Sequence, residues 1–264
     1  MLMNARATGT LAALLALGLA ACDATAPRVG TVKLYLTDAP SPAIAGAEVW
    51  ISRAELVPGI VVADTPSHYD LLALQGGVTA LLGSATTPVG DYAQLRLVVD
   101  SARITLAPGT TFADGTSERV LQVPSGMQTG IKVSFAVPVH VASGETVLVA
   151  DFDVSRSFVF QGAPNAPNGC LFKPVIHASV MDVAGSIAGT SLPVAARGKL
   201  FAIMGTDTVA TTLADALTGA YTLRFLPPGA YTVADSAVGY QVATRAVTVG
   251  PAQHLTAVDF TLVP

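Results

Sequence analysis

The chain has 264 residues and a formal net charge of −4, with 51% hydrophobic and 12% charged residues. This mild acidity, without any lysine or arginine cluster, argues against nucleic acid as a partner. The low charged fraction and the abundant Thr, Ser, Gly and Pro are typical of an exported all-β protein with many short strands and turns. The length suffices for one large domain or two ordinary ones.

The first 22 residues have the order of a secretory signal. Arg6 supplies the only charge, an apolar run covers residues 10–21, and the segment ends Leu19-Ala20-Ala21-Cys22. The run is too short for a mature membrane-spanning helix, which needs roughly 20 residues. The ending resembles a bacterial lipobox, which implies cleavage before Cys22, lipidation of its thiol and acylation of the new amine. The alternatives are a conventional cleavage site and an uncleaved anchor.

This resemblance predicts a signal peptide at residues 1–21 and a lipidated cysteine with its tether at 22–30. The protein would then lie in the cell envelope, attached to a membrane through its N-terminal lipid, because two acyl chains anchor stably. Asp23 resembles an inner-membrane retention signal of enteric bacteria, but that rule varies between lineages, so inner and outer membrane both stay open. Cys170 would have no partner in the chain, and we predict a buried, unreactive thiol.

Strand patterns follow the tether. Alternating apolar residues at 32–36 predict a half-buried strand that stops at 37–42, where two prolines favour a turn. Only residues 71–83 look like a short helical excursion. Further strands are predicted at 49–51, 92–99, 102–106, 131–139 and 146–154. This spacing is typical of a sandwich of antiparallel sheets.

Five motifs follow one another between residues 30 and 182. They are LTDAP at 36–40, PVGDYAQLRL at 88–97, VPSGMQTGIK at 123–132, DFD at 151–153 and LFKPVI at 171–176. Together they resemble a bacterial lipoprotein family known as domain of unknown function 4382. The resemblance implies a β-rich domain of lipid-anchored surface proteins, and it implies no activity.

The last eighty residues carry a repeated motif. Residues 219–223, GAYTL, recur as GAYTV at 229–233, with Pro227-Pro228 between them. The repeat predicts two paired strands joined by a Pro-Gly turn. With its flanking glycines it resembles the carboxypeptidase regulatory-like domain, a small transthyretin-type sandwich that also resembles starch-binding domains. Despite the name, this resemblance implies no hydrolysis.

The fold class predicted is therefore all-β, with two immunoglobulin- or prealbumin-like β-sandwich domains after the signal peptide. The domain of the unknown-function type is expected at residues 31–183 and the regulatory-like domain at 184–264. The alternative is that the C-terminal segment continues the first sandwich.

No catalytic motif stands out in the sequence. A serine nucleophile elbow, a His-Glu-x-x-His zinc motif and a phosphate-binding Gly-rich loop are all missing. The four histidines fall in different predicted strands and turns, where a structural role is commoner than ligation. They are His68, His140, His177 and His254. We predict no enzyme, no catalytic residue and no cofactor-binding residue.

Asp151 and Asp153 are the only metal-site candidates that the sequence offers. Two residues apart on a strand, their carboxylates point to one face, opposite Phe152. Paired carboxylates suit calcium, which takes six to eight oxygen ligands, but Arg156 stands where an EF-hand loop needs glycine. The preferred interpretation is that they cap turns or pair with Arg156 or Lys173. No metal is thus predicted, with calcium as the weaker alternative.

Two functional classes fit these observations. The first is a non-catalytic, lipid-anchored envelope protein that serves as a structural or protein-binding module. The second is a carbohydrate-binding lipoprotein. Sugar sites commonly use exposed aromatic platforms, whereas this chain has 6% aromatic residues and one tryptophan, Trp50, so we prefer the first class. The partner is an envelope protein or a glycan that the sequence does not identify.

Overall fold

A computed structural model describes residues 27–39, 44–123, 129–163 and 166–264. The predicted signal peptide, Cys22 and most of the tether lie outside these residues. The first strand begins at Val29, so the last two residues of the predicted tether belong to a strand. None of the helices in the described ranges reaches the length and hydropathy of a membrane span.

The first β-sandwich extends from Val29 to Val180. Its strands are β1 (Val29–Ala39), β2 (Ile44–Val57), β3 (Ile60–Ala63), β4 (Ser67–Asp70), β5 (Ala80–Pro88), β6 (Gly90–Leu106), β7 (Glu118–Gln122), β8 (Ile131–Val141), β9 (Glu145–Asp153), β10 (Phe158–Ala163), β11 (Ala166–Phe172) and β12 (Ile176–Val180). Its helices are a 3₁₀ helix at Leu72–Gly77 and the one-turn α1 at Val154–Ser157. A 3₁₀ turn at Met181–Val183 follows β12.

Two sheets form this sandwich, and β10 pairs with β11 as a separate hairpin. One sheet has the order β12-β9-β1-β5, and the other has the order β3-β2-β6-β7, with β4 also on β2 and β8 also on β6. The alternation predicted in β1 is confirmed, because Val32, Leu34 and Leu36 are fully buried between the sheets. Their intervening residues face the outer side of the sheet, as the period of two requires.

Three local predictions need correction. The strand predicted to end near residue 37 continues to Ala39, because Thr37 and Asp38 stay paired with β9. The strands predicted at 92–99 and 102–106 are one strand, β6, which keeps its pairing with β2 through register shifts. The helical excursion is the 3₁₀ helix at Leu72–Gly77, and residues from Ala80 onward belong to β5.

The second β-sandwich extends from Gly185 to the C-terminal region. Its strands are β13 (Gly185–Leu192), β14 (Lys199–Met204), β15 (Asp207–Leu213), β16 (Ala220–Leu226), β17 (Gly229–Ser236), β18 (Ala243–Val249), β19 (His254–Leu255) and β20 (Phe260–Thr261), with a 3₁₀ turn at Val194–Ala196. One sheet has the order β16-β13-β19, with β20 also on β13, and the other has the order β15-β14-β17-β18. Its buried apolar residues form a cluster separate from that of the first sandwich.

The predicted hairpin between the two GAYT repeats is wrong. β16 pairs with β13, whereas β17 pairs with β14 and β18 in the opposite sheet. Pro227 and Pro228 carry the chain from one sheet to the other. The two tyrosines are equivalent in another respect: both are buried, and Tyr221 and Tyr231 donate to backbone carbonyls of Val258 and Pro227.

Candidate functional site

The two sandwiches meet at a polar junction. Strands β1, β9 and β12 of the first sandwich contact β15 and β16 of the second. Among the described residues, three side-chain hydrogen bonds cross the junction: Thr211 Oγ1 to Asp153 Oδ2 at 2.8 Å, Lys199 Nζ to Ser155 Oγ at 2.6 Å, and Ser179 Oγ to the Phe225 carbonyl at 2.9 Å. Buried polar groups of this kind fix the relative position of two packed units only when they are satisfied.

Both carboxylate oxygens of Asp153, at the end of β9, accept hydrogen bonds. Its Oδ1 accepts from the Arg156 backbone N–H at 3.0 Å and from Ser155 Oγ at 2.6 Å, which caps α1. Its Oδ2 accepts the bond from Thr211 across the junction. The side chain is only 2% exposed. With both oxygens occupied by donors, Asp153 holds the helix and the junction together.

Asp38 and Asp151 are carboxyls with unsatisfied oxygens. They lie on the paired strands β1 and β9, where Asp151 is opposite Thr37 and Asp38 is opposite Phe152. Asp38 is 5% exposed, and its Oδ1 accepts from the Val154 backbone N–H at 3.3 Å. Asp38 Oδ2 and Asp151 Oδ1 are buried and have no hydrogen-bond partner.

Burial and the charge of a neighbouring aspartate raise the pKa of both carboxyls. Burial, followed by the charge of Asp151, raises the pKa of Asp38 to about 9, although bonds from Val154 and Gln75 act against the shift. Burial, followed by the charge of Asp153, raises the pKa of Asp151 to about 8. Removal of a charged carboxyl from water is the dominant cause in each case.

The sequence pointed to Asp151 and Asp153 as a pair, and the structure gives them different surroundings. Asp153 is occupied by three donors, while Asp151 shares its buried surroundings with Asp38. Within the described ranges, no group of three or more His, Cys, Asp or Glu side chains is arranged to hold a metal. Asp38 was missed because only the pairing of β1 with β9 brings it close, although it lies in the LTDAP motif.

A small cavity lies between the sandwiches beside these carboxyls. Its volume is about 40 Å³, and Thr37, Asp38, Asp151, Thr211 and Arg224 are among its lining residues. Two more open clefts, of about 580 and 270 Å³, share Arg224 as a lining residue. The residue after it, Phe225, has a φ of 54°, which is unusual for a bulky side chain.

His177 and Lys199 lie at the same junction. His177 is opposite Asp151 in the β12–β9 pairing, and its Nε2 is buried without a hydrogen-bond partner. Burial lowers the pKa of His177, so the imidazole is neutral there. Burial likewise lowers the pKa of Lys199, against the opposing charge of Asp153.

Two further histidines form separate local contacts. His140 lies 2.7 Å from Asp91, and His254 Nδ1 lies 2.9 Å from Ser186 Oγ. Both pairs are exposed. No carboxylate bonds to His254 in the part of the chain that the structure describes, so the Ser186–His254 pair lacks the third group of a catalytic triad.

Trp50 has neighbours on both sides along the outer surface of its sheet. His68 on β4 stacks on the indole with ring centroids 4.7 Å apart, and the Arg103 guanidinium on β6 lies 5.3 Å from the ring centroid. Strands β4 and β6 flank β2 on opposite sides, and Glu48 Oε2 lies 3.2 Å from His68 Nε2 and 3.1 Å from the Arg103 guanidinium. This arrangement does not leave the indole as an open platform for a sugar ring.

Cys170 lies buried on β11. It is the free cysteine of the described residues, and burial raises the pKa of its thiol to about 11, with Arg119 acting in the opposite direction. A thiol with such a pKa is almost wholly protonated at neutral pH and is a poor nucleophile.

Solved structures offer only distant likenesses. A Bacillus anthracis TIE protein has 12% identity and a TM-score of 0.25, with 89% of this chain and 34% of that chain covered. A minor pilin of Streptococcus agalactiae, GBS52, has 12% identity and a TM-score of 0.25, covering 88% and 96%. The major pilin subunit BcpA of Bacillus cereus has 12% identity and a TM-score of 0.24, covering 89% and 99%. This chain thus spans about a third of the TIE protein.

Family comparisons are more informative than these structures. No curated protein matches the chain. The carboxypeptidase regulatory-like domain matches residues 182–263, in the order the sequence motifs predicted. The model for a domain of unknown function (DUF4382) matches residues 29–174. Because that match covers more than half of the chain, the protein belongs to the DUF4382 family and carries a carboxypeptidase regulatory-like domain behind it.

Proposed function

We propose that this protein is a non-catalytic, lipid-anchored module of the cell envelope, with a structural or protein-binding role. In this proposal the first sandwich lies next to the membrane and the second is held away from it. The observation that carries the proposal is the direction of β1, which leads from the tether to the junction.

The two ends of β1 lie at opposite ends of the first sandwich. At its start, Val29 is opposite Pro88 and Thr31 is opposite Glu145; at its end, Ala39 is opposite Asp153, the residue that bonds to the second sandwich. The six residues 23–28 can span roughly 20 Å at most. A lipid on Cys22 would therefore keep the start of β1 near the membrane and leave the second sandwich on the far side.

The junction supports a fixed rather than a freely swinging second sandwich. Three side-chain bonds cross it, and Asp153 and Thr211 are both buried within it. A module that is rigid and anchored presents its far end at a set distance from the membrane, and anchoring raises its local concentration toward partners in the same envelope. The description of the second matched family, regulatory rather than catalytic, also fits a non-enzymatic role.

We further propose that residues 31–183 and 184–264 are separate domains. Their two apolar cores, each enclosed by its own pair of sheets, support this division. Dispersed amide spectra from each half expressed alone would agree with it. Failure of both halves to fold, together with the lack of a stable proteolytic fragment, would contradict it.

Lipid attachment is tested by replacing the cysteine. Cys22→Ser should abolish incorporation of labelled palmitate and move the mature protein out of the membrane fraction. Cys170→Ser is the matched control, because it removes the other cysteine of the chain and should leave both labelling and fractionation unchanged. A Cys22→Ser protein that stays in the membrane with its signal peptide would instead indicate an uncleaved helical anchor.

Orientation is tested with the purified lipoprotein in liposomes, in the Cys170→Ser background. Val238, on an exposed loop of the second sandwich, and Ser143, near the start of β1, are both exposed. A bulky maleimide should label Val238→Cys at the same rate in liposomes and in detergent. Ser143→Cys should react several-fold more slowly in liposomes. Equal protection of both positions would refute the membrane-distal placement of the second sandwich.

A further inference from the structure

We propose that strand β18 is a self-association surface, to which a second copy of this chain adds its own β18 in antiparallel orientation. Strand β18 (Ala243–Val249) is the last strand of its sheet and pairs with β17 on one side. Apart from that pairing, none of its backbone groups bonds to another backbone group in the described part of the chain. Alternate N–H and C=O groups of an edge strand point away from its neighbour, so this edge is open to a further strand. The proposal goes beyond the envelope role and does not depend on lipid attachment.

Most of the features that protect edge strands from pairing are missing in β18. Short strands, prolines, bulges and charges are the usual protection. Strand β18 is seven residues long, contains no proline and keeps its pairing with β17 without a register shift. Its one charged residue, Arg245, lies opposite the buried Val233 on the inner side of the sheet and donates to the Ala257 carbonyl at 3.5 Å. The guanidinium therefore does not project beyond the edge.

The sequence of β18 is complementary to itself in one register. When all seven residues pair with a second antiparallel copy, Ala246 lies on the two-fold axis and faces its own equivalent. Arg245 then faces Val247, and Thr244 faces Thr248. Like charges directly opposite each other destabilise a sheet, whereas facing threonines can exchange hydrogen bonds. An inward charge can itself block an edge, but this register places an uncharged side chain opposite each arginine.

The other edge of the same sheet is covered, so addition ends at two copies. Strand β15 contacts β1 and β9 of the first sandwich and β16 of its own sandwich, whereas β18 packs on β17 and β13. A sheet with one open edge pairs once through a two-fold axis and forms a closed dimer rather than a fibre. A single pair of edges is small against the roughly 1,200 Å² of total buried surface at the lower end of stable interfaces. We therefore expect weak association in solution, strengthened on a membrane by the higher local concentration of anchored copies.

The test uses the chain from residue 23 in the Cys170→Ser background, which retains both sandwiches. Sedimentation equilibrium at concentrations up to about 1 mM, the range of weak complexes, should show a monomer–dimer equilibrium. Ala246→Lys and Ala246→Glu should each weaken dimerisation several-fold, because like charges then meet on the two-fold axis. An equimolar mixture of the two variants should restore association, which a folding defect would not do. Leu217→Lys is the matched control, since Leu217 is 88% exposed on a turn, and it should dimerise like the parent chain.

Cysteine cross-linking tests the register. Ala246→Cys should form an intermolecular disulfide readily, because its two copies would lie roughly 4.5–5.5 Å apart between Cα atoms. Thr244→Cys, on the same exposed side of the strand, should cross-link much more slowly, because its two copies would be offset by roughly 13 Å along the strand.

Three results would overturn the proposal. The first is a monomer over the whole concentration range, which would leave β18 available only to an extended segment of a different protein. The second is equal cross-linking at the two cysteine positions. The third is a mixture of the Lys and Glu variants that associates no better than either alone. If a charged variant fails to fold, sedimentation of the parent chain and the cross-linking comparison still decide between these outcomes.

Discussion

The carboxylates at the two ends of the first sandwich lie in opposite environments, exposed at one end and buried at the other. At the tether end, Glu145 pairs with Lys33 at 2.6 Å and Asp91 pairs with His140 at 2.7 Å, all on exposed side chains. At the junction end, Asp38 and Asp153 are buried, and Asp153 accepts a hydrogen bond from Thr211 of the second sandwich. Strand β9 illustrates the contrast by itself, since it begins with Glu145 and ends with Asp153.

The two ends differ in how far water reaches their carboxylates, and not in the type of acidic residue. Water screens the charges at the tether end, so each pair there contributes little to stability. At the junction, packing removes water, so each carboxyl needs a donor, a proton or a cation. Asp153 has donors, whereas Asp38 and Asp151 have oxygens without them. The pair of strands β1 and β9 therefore carries one stabilising carboxyl, Asp153, and two destabilising ones, Asp38 and Asp151. Substitution of each residue can measure its effect on stability.

The largest effect is expected from Asp153→Ala. This change removes the cap of α1 and leaves the Thr211 hydroxyl without its acceptor. The free energy of unfolding should fall by about 2–3 kcal/mol, measured by urea denaturation at pH 7. Asp153→Asn, which keeps one acceptor oxygen, should lose less. An unchanged stability in Asp153→Ala would show that the junction does not depend on this carboxylate.

Asp38→Asn should raise the free energy of unfolding, whereas Asp153→Ala lowers it. Removing an ionisable group whose pKa is raised to about 9 by burial relieves the cost of keeping it protonated or charged. In EDTA at pH 8 we expect a gain in unfolding free energy on the order of 1–3 kcal/mol. Asp64→Asn, at an exposed position, is the control and should change little. A loss of stability in Asp38→Asn would indicate that its carboxylate is satisfied in solution.

The pH dependence should follow from the same two groups. The folded pKa values of Asp38 and Asp151, about 9 and about 8, lie above the ordinary pKa of 3.8 for an aspartate carboxyl. Folded protein therefore holds protons that unfolded protein has released. Their stabilising contribution is complete below about pH 4 and is lost as the pH rises to about 9.

Urea denaturation in EDTA between pH 7 and 8.5 isolates this effect when it is done in the Cys170→Ser background, because the unfolded Cys170 thiol begins to release its proton in that range whereas the folded one does not. In that range His177 is neutral, because burial lowers its pKa from 6.5. Wild-type stability should fall with rising pH, and the slope should vanish in the Asp38→Asn, Asp151→Asn double variant. A slope that persists in the double variant would assign the pH dependence to other groups.

The smallest effect is expected at the tether end. Lys33→Ala breaks the exposed ion pair with Glu145. Although hydrogen bonding to Glu145 raises the pKa of Lys33, solvent screens the interaction, and the melting temperature should stay within experimental error of the wild type. A clear loss that persists in 1 M salt would show that the two ends of the sandwich differ less than proposed.

Much of the fold was predictable because its signals are local. Alternation at Val32, Leu34 and Leu36 predicted a half-buried strand, and all three are buried in β1. The two sets of motifs predicted the order of the two family matches. The repeat at Tyr221 and Tyr231 also predicted similar local surroundings, but it wrongly predicted pairing, because a strand's sequence does not encode which neighbour it joins.

What the sequence by itself determined about this protein is its all-β class and the family of its first part, since composition, period-two patterns and short motifs are local to the chain. Only the tertiary structure decided that Asp38 joins Asp151, 113 positions later by number, through the parallel pairing of β1 with β9. Only the packing of the second sandwich then placed the Thr211 hydroxyl on Asp153. The physical reason is that burial, and with it the pKa of a carboxyl, depends on surfaces that distant parts of the chain bring together.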